Sequence, residues 1–255
     1  MAHVMPQGTR NMTDEEWQVR CDLAACYRLF VKYGWTDLIF THLSARVPGH
    51  SDQYLINPYG LLFPEITASN LIKVDFDGNV IAGDYPFNEA GHAIHVAALK
   101  ARPDINCALH SHTRAGMAVS CMQEGLLPLS QQAGEVRDLV CYHAYGIADN
   151  DPQECEKLGR DLSDKWLMIM HNHGLLSVGR TVGEAFYYLY SLENACKVQV
   201  DVMASGAQMI IPTQSAMDEL AHYNAPPADG PCDSVTRSWD ALIRMLDQHD
   251  PSYKI

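Results

Sequence analysis

The sequence predicts an α/β layered fold, a mostly antiparallel sheet covered by helices. Three observations predict it. Several segments carry apolar residues at helical spacing between clear start and stop signals. Short apolar runs follow one another with only turns between them, which suits antiparallel pairing. The glycine-rich turns of dinucleotide and P-loop folds, GxGxxG and GxxxxGK[ST], are both absent.

Taken in order, residues 1–12 read as a flexible arm. In TDEE, Thr13 and Glu16 form a capping box, and Trp17, Cys21, Ala24, Ala25 and Leu29 then recur at helical spacing. This predicts a helix over 14–33 that ends near Gly34. LIFTHLSARV and DQYLINPY read as strands around the turn PGHSD, and NLIKVDFDGNVIAGD as two strands around Asp77–Gly78. A helix is expected from Glu89 to Lys100, a strand in INCALHSH, and a short helix in TRAGMAVSCMQ with Thr113 near its start. GEVRDLVCYHAYG holds a further strand, DPQECEKLGRDLSD is helical, and KWLMIMHNHG is a buried strand. A second capping box, TVGE at 181–184, opens a long helix through about Ala204 that Gly206 closes. The tail 207–255 carries the loop NAPPADGP and two short helices.

Composition excludes several classes. The 255 residues are 47% hydrophobic, enough for one sizeable core. With 31 acidic against 18 basic residues the net charge is −13, and no basic run tracks a phosphate backbone, so nucleic acid is not an expected partner. No apolar run nears the roughly 20 residues of a membrane helix, and the N-terminal stretch lacks the apolar core of a secretory signal. Cys21, Cys26, Cys107, Cys121, Cys141, Cys155, Cys196 and Cys232 form no C-x-x-C pair. They are expected as reduced thiols of a cytoplasmic protein.

The chemistry is concentrated in histidines. In a strand, residues two apart share a face, so His110 and His112 of CALHSHTRAG can aim at one point. The same spacing returns at His171 and His173 in MIMHNHGLLSVG. Catalytic zinc sites commonly use three protein ligands and keep one position open. His110 and His112 with His173 would supply three; spacing alone does not choose between His173 and His171. An isolated H-x-H pair is more often two satisfied core residues, and it is the second pair that shifts this balance. Glu89, at a helix start in PFNEAGHAIH, is a candidate general base, or simply a carboxylate favoured by the helix dipole. His92 and His95 read first as helix-surface or packing residues.

Together NEAGHAIH, ALHSHT, CYHAYG and MHNHGLLSVG, in this order and with these gaps, resemble the class II aldolase/adducin family over roughly residues 15–205. The resemblance implies a three-layer α/β/α sandwich with a central, mostly antiparallel sheet, spanning 13–206 with 207–255 as a helical extension packed on the domain or a neighbouring subunit. It implies a homo-oligomer, a tetramer by preference, with active sites at subunit interfaces. It implies one divalent metal ion per subunit held by His110, His112 and His173. Zinc is expected, although imidazole ligands also suit manganese, cobalt or iron. Glu89 is then the catalytic acid–base residue and Tyr142 an interface proton donor, with Tyr145 as the alternative.

The sugar-phosphate members bind phosphate with a Gly-Asn, a Thr-Gly and a Ser-Ser pair. Thr41-His42, Tyr59-Gly60 and Phe87-Asn88 stand there instead. The expected substrate is therefore a small, non-phosphorylated hydroxy-carbonyl or hydroxy-acid compound, with His42, Asn88 and Arg114 as binding residues and Arg114 offering a bidentate fork to a carboxylate. The reading is an aldolase-like lyase that cleaves a carbon–carbon bond through an enediolate whose charge the metal holds. The alternatives are a decarboxylase on the same scaffold, and a non-catalytic binding or assembly protein. INPYGLLFPEITASNLIKVD, GLLPLSQQA and GEAFYYLYSLENACKVQV resemble the adducin head domain more than the aldolases.

Overall fold

A computed structural model describes residues 12–146, 152–223 and 225–255. Most of the expected arm lies outside the described residues. Thr13 caps α1 (Asp14–Tyr33), its hydroxyl accepting from the Glu16 amide, and Gly34 closes the helix in the left-handed conformation. The strands are β1 (His42–Arg46), β2 (Gln53–Ile56), β3 (Ile72–Asp75) and β4 (Val80–Ala82), then β5 (Cys107–Ser111), β6 (Val140–His143), β7 (Leu167–Met170) and β8 (Gly174–Gly179). They form one sheet in the order β4-β3-β2-β1-β5-β8-β7-β6. Every pairing is antiparallel except β6 with β7.

Alternation along the strands divides the core in two. One sheet face carries Leu43, Ala45, Leu55, Leu109, Ile169 and Leu175, packed with residues of α1 and of α6 (Val182–Ser205). The other carries Tyr54, Ile56, Ala108, Met168, Leu176 and Val178, covered by α2 (Glu89–Ala101) and α5 (Pro152–Leu162). Helices therefore cover both faces, the three-layer arrangement expected. The remaining helices are α3 (Arg114–Ser120), α4 (Gln131–Val136), α7 (Gln214–Tyr223) and α8 (Asp233–His249). Trp239 of α8 lies so close to Gly183 of α6 that a side chain there would strike the indole. All eight cysteines are free thiols. No helix among the described residues is long and apolar enough to cross a membrane.

Three expectations need correction. Leu38–Phe40 are not strand: Leu38 sits at φ +48° in a tight turn, and β1 begins only at His42. The strand in KWLMIMHNHG stops at Met170, where a turn through Asn172 at φ +56° reverses the chain into β8. Finally, α8 spans 17 residues and is not short.

Candidate metal centre

β5 is the third strand in from neither edge but lies mid-sheet, between β1 and β8, with all five residues buried. His110 points to the α2 face, and His112, just past the strand, follows it. The turn after β7 brings in His173. The ligand nitrogens of these three rings all lie within 4.8 Å of one another. Tetrahedral zinc with Zn–N bonds near 2.0–2.1 Å separates its nitrogens by about 3.4 Å, so small adjustments would seat an ion. The same turn removes His171: its Nδ1 bonds the Ser120 carbonyl and its ring stacks on Tyr142 at 5.6 Å. Backbone geometry thus decides the choice that spacing left open.

The outer partners fix which nitrogens are free. His110 Nδ1 lies 2.9 Å from the Leu175 carbonyl, which only accepts, so that nitrogen carries the proton. His112 Nδ1 lies 2.9 Å from Asp37 Oδ2 and donates in the same way. In the neutral rings both Nε2 atoms then carry lone pairs, and they face each other at 2.9 Å. Two converging acceptors are unfavourable without a positive charge between them, and a divalent cation supplies it. The donor set therefore fits a metal ion. The role of Asp37 as orienting partner of His112 is not legible in the sequence, since it depends on a loop held by the Asp37–Phe40 bridge. Asp37→Asn is expected to weaken zinc binding about 10–100-fold with the fold intact, measured by chelator competition.

Burial pushes His110 far below the ordinary imidazole range, aided by His42, His173 and His112. Burial, with His112 and His143 adding to it, pushes His173 down to about 4. Both rings stay uncharged and available as ligands at neutral pH. In the metal-free protein the unfolded chain then binds more protons than the folded one between the ordinary value of 6.5 and about 4. Stability is full above that window and falls as the pH drops through it. The urea midpoint of metal-free protein should fall between pH 7 and pH 5, and bound zinc should flatten the decline.

The other predicted residues are placed as follows. His42 lies opposite His110 across β1 and β5, with rings 5.1 Å apart and 26° from parallel. Asn88 caps α2, its Oδ1 accepting from the Gly91 amide. Glu89 is the first residue of that helix and is exposed; it is outside the three-histidine group. Arg114 is the exposed first residue of α3, two positions past His112, with no ion-pair partner among the described residues.

Tyr142 is not brought to the histidines. It pairs with Ile169, so it lies on the α1/α6 face, whereas His110 lies on the α2 face. β6 is also three strands from β5, about 14 Å at ordinary strand spacing. Its ring packs on Gly125, and its oxygen accepts from the Leu126 amide at 3.0 Å. A Cβ on Gly125 would lie 2.5 Å from that oxygen, and φ there is +63°. Gly125→Ala should therefore displace Tyr142 and cost about 1–2 kcal/mol, read by urea unfolding. Tyr145 is 62% exposed. His95 is fully buried on α2, one of the two places expected for it, and its burial is legible in the apolar setting HAIHVAAL; its 2.9 Å contact with His42 Nδ1 is not.

With this geometry in hand, comparison with known proteins decides the family. Residues 21–200 match the class II aldolase and adducin N-terminal domain. The chain belongs to the class II aldolase and adducin family. It is 46% identical to a Pseudomonas aeruginosa protein provisionally named aldolase class 2 protein, over 99% of this chain and 98% of the other. It is 44% identical to mouse alpha-adducin over 90% of this chain, which spans 33% of that longer protein. Among solved structures, the L-fuculose 1-phosphate aldolase of Glaciozyma antarctica PI12 superposes with a TM-score of 0.77 at 27% identity, covering 94% of this chain and 92% of that one. The family thus contains both enzymes and adducins, and this class II aldolase domain carries a histidine triad that could hold a divalent metal.

Proposed function

We propose that the chain is a divalent-metal-dependent lyase of aldolase type, acting on a small, non-phosphorylated hydroxy-carbonyl or hydroxy-acid compound. The observation that carries this reading is the convergence of His110, His112 and His173, two of them with tautomers set by Leu175 and Asp37. A binding or assembly module has no use for three converging imidazoles, two of which turn their lone pairs on each other. When bound, zinc or a similar ion would act as a Lewis acid on a substrate carbonyl or hydroxyl oxygen. His110, His112 and His173 would hold it.

The remaining roles belong to side chains of this protein. Glu89 stands at the start of α2, and Gly91 of that same turn lies against the ring of His42, so the turn borders the histidine cluster. Glu89 moves the proton that is lost or gained at carbon. The Tyr142 oxygen accepts from the Leu126 amide, which leaves its O–H to donate to the departing oxygen. With Tyr142 on the opposite sheet face, this role is one toward a neighbouring subunit's site and presupposes the homo-oligomer, a tetramer by preference, that the family resemblance implies. Tyr59 donates its backbone amide to Pro86, beside Phe87, so two of the substituted phosphate positions share one wall with bulky aromatics. This supports a substrate without phosphate, with Arg114 available for a carboxylate.

The test is cleavage of a panel of hydroxy-ketones, hydroxy-aldehydes and hydroxy-acids by zinc-loaded protein, with aldehyde and carbon dioxide assayed separately. Aldehyde release that vanishes on chelation supports the lyase, whereas carbon dioxide release assigns a decarboxylase. The 44% identity to alpha-adducin favours a second reading, a binding or assembly protein. A protein that takes up no metal and turns over nothing would establish that one.

A further inference from the structure

Behind the triad runs a buried chain of polar atoms that the proposed chemistry does not use. Ser44 Oγ is 2.5 Å from His95 Nδ1, and His95 Nε2 is 2.9 Å from His42 Nδ1. Ser44 and His95 are fully buried and His42 is 4% exposed. The chain ends on a ring stacked against His110. The Cδ2 edge of that ring lies against the first turn of α2: a Cβ on Gly91 would fall on His42 Cδ2 and lie 2.8 Å from Nε2, the nitrogen that His95 leaves free.

Such a chain has two neutral arrangements. In one, the Ser44 hydroxyl donates to His95 Nδ1, His95 Nε2–H donates to His42 Nδ1, and His42 presents Nε2–H. In the other, every proton points back: His42 Nδ1–H donates to His95, His95 Nδ1–H donates to Ser44, and His42 Nε2 is a bare lone pair. The second leaves the Ser44 hydroxyl proton in need of another acceptor, and His95 is the only hydrogen-bond partner Ser44 Oγ has among the described residues. A buried donor without an acceptor is costly, so the first arrangement prevails.

We propose that Ser44 and His95 are positioning residues that hold His42 as an Nε2–H donor to a substrate oxygen, and thereby keep this fourth imidazole off the metal. A nitrogen that carries a proton cannot ligate, which explains how four imidazoles crowd together while three form the cation site. The donor suits a carbonyl, carboxylate or hydroxyl oxygen, and selects an oxygen-rich substrate face beside the metal. The inference rests on the three-histidine reading above.

The test uses full-length protein with 15N-labelled histidine. Long-range 1H–15N correlation spectra should show His42 protonated at Nε2 and unprotonated at Nδ1. In Ser44→Ala the His42 proton should redistribute toward Nδ1, with zinc still at one ion per chain. His42→Gln should also keep its zinc, but bind acetohydroxamate, a small oxygen chelator, about 3–10-fold more weakly when zinc-loaded, the loss of one hydrogen bond. An unchanged His42 tautomer in Ser44→Ala overturns the positioning role. Loss of zinc in His42→Gln, or unchanged acetohydroxamate affinity, overturns the donor role. If the wild type binds no zinc, the three-histidine reading fails, while the tautomer spectra of the metal-free protein still decide what Ser44 and His95 do.

Discussion

His110→Ala is expected to reduce bound zinc from about one ion per chain to less than about a tenth of that, the largest functional loss of any single substitution here. His110 is the best-anchored member of the triad. It is 1% exposed, held by the Leu175 carbonyl, and packed between the rings of His42, His112 and His173. Its removal leaves two ligands and takes away one of the two lone pairs that converge at 2.9 Å. The informative control is His171→Ala. His171 has the same H-x-H relation to His173 that His110 has to His112, yet it faces Tyr142 and Ser120. Metal analysis of protein purified without chelator should find zinc retained in His171→Ala and lost in His110→Ala. Retention in both would show that the triad is not the metal site.

What the sequence revealed, and what it did not, follows from how far each cause reaches along the chain. Helix ends are local: Thr13, Thr181, Gly34 and Gly206 act on residues within one turn, and each was legible. The pairing of His110 with His112 is also local, because strand alternation fixes it. The rejection of His171 was not legible, because it depends on the left-handed backbone at Asn172, a residue type that tolerates that conformation but does not demand it. β8 was overlooked for a related reason. GLLSVG is a short, continuous apolar run, and only its pairing between β5 and β7 makes it a strand. The placement of Tyr142 on the far face is a consequence of register, Tyr142 opposite Ile169, and no local pattern encodes it. Ser44, His95 and Asp37 meet the site from three separate segments, so their part in it appears only once the chain is folded.

One backbone position ties the register of β5 and β8 to the histidines. Gly174 opens β8 immediately after His173, and a Cβ built there would fall on the Ser111 carbonyl oxygen and lie 3.1 Å from His112 Cδ2. Neither neighbour can yield cheaply: one is backbone of β5, the other belongs to the His112 ring, which Asp37 and His110 hold in place. Gly174→Ala must therefore push β8 away from β5 where two histidines leave one strand and the third enters the other. We expect a loss of about 3 kcal/mol in urea unfolding, at the upper end of ordinary overpacking. A fall in zinc affinity should accompany it, because the Leu175 carbonyl that sets the His110 tautomer moves with the strand. Gly206→Ala provides the contrast. That glycine needs a left-handed φ of +66° but has open space around it, so the substitution should cost about 1–2 kcal/mol and leave zinc affinity unchanged. Equal zinc affinities in the two variants would mean that the register of β5 against β8 does not shape the site; a loss confined to Gly174→Ala would show that this close approach of two strands holds the ligands in place.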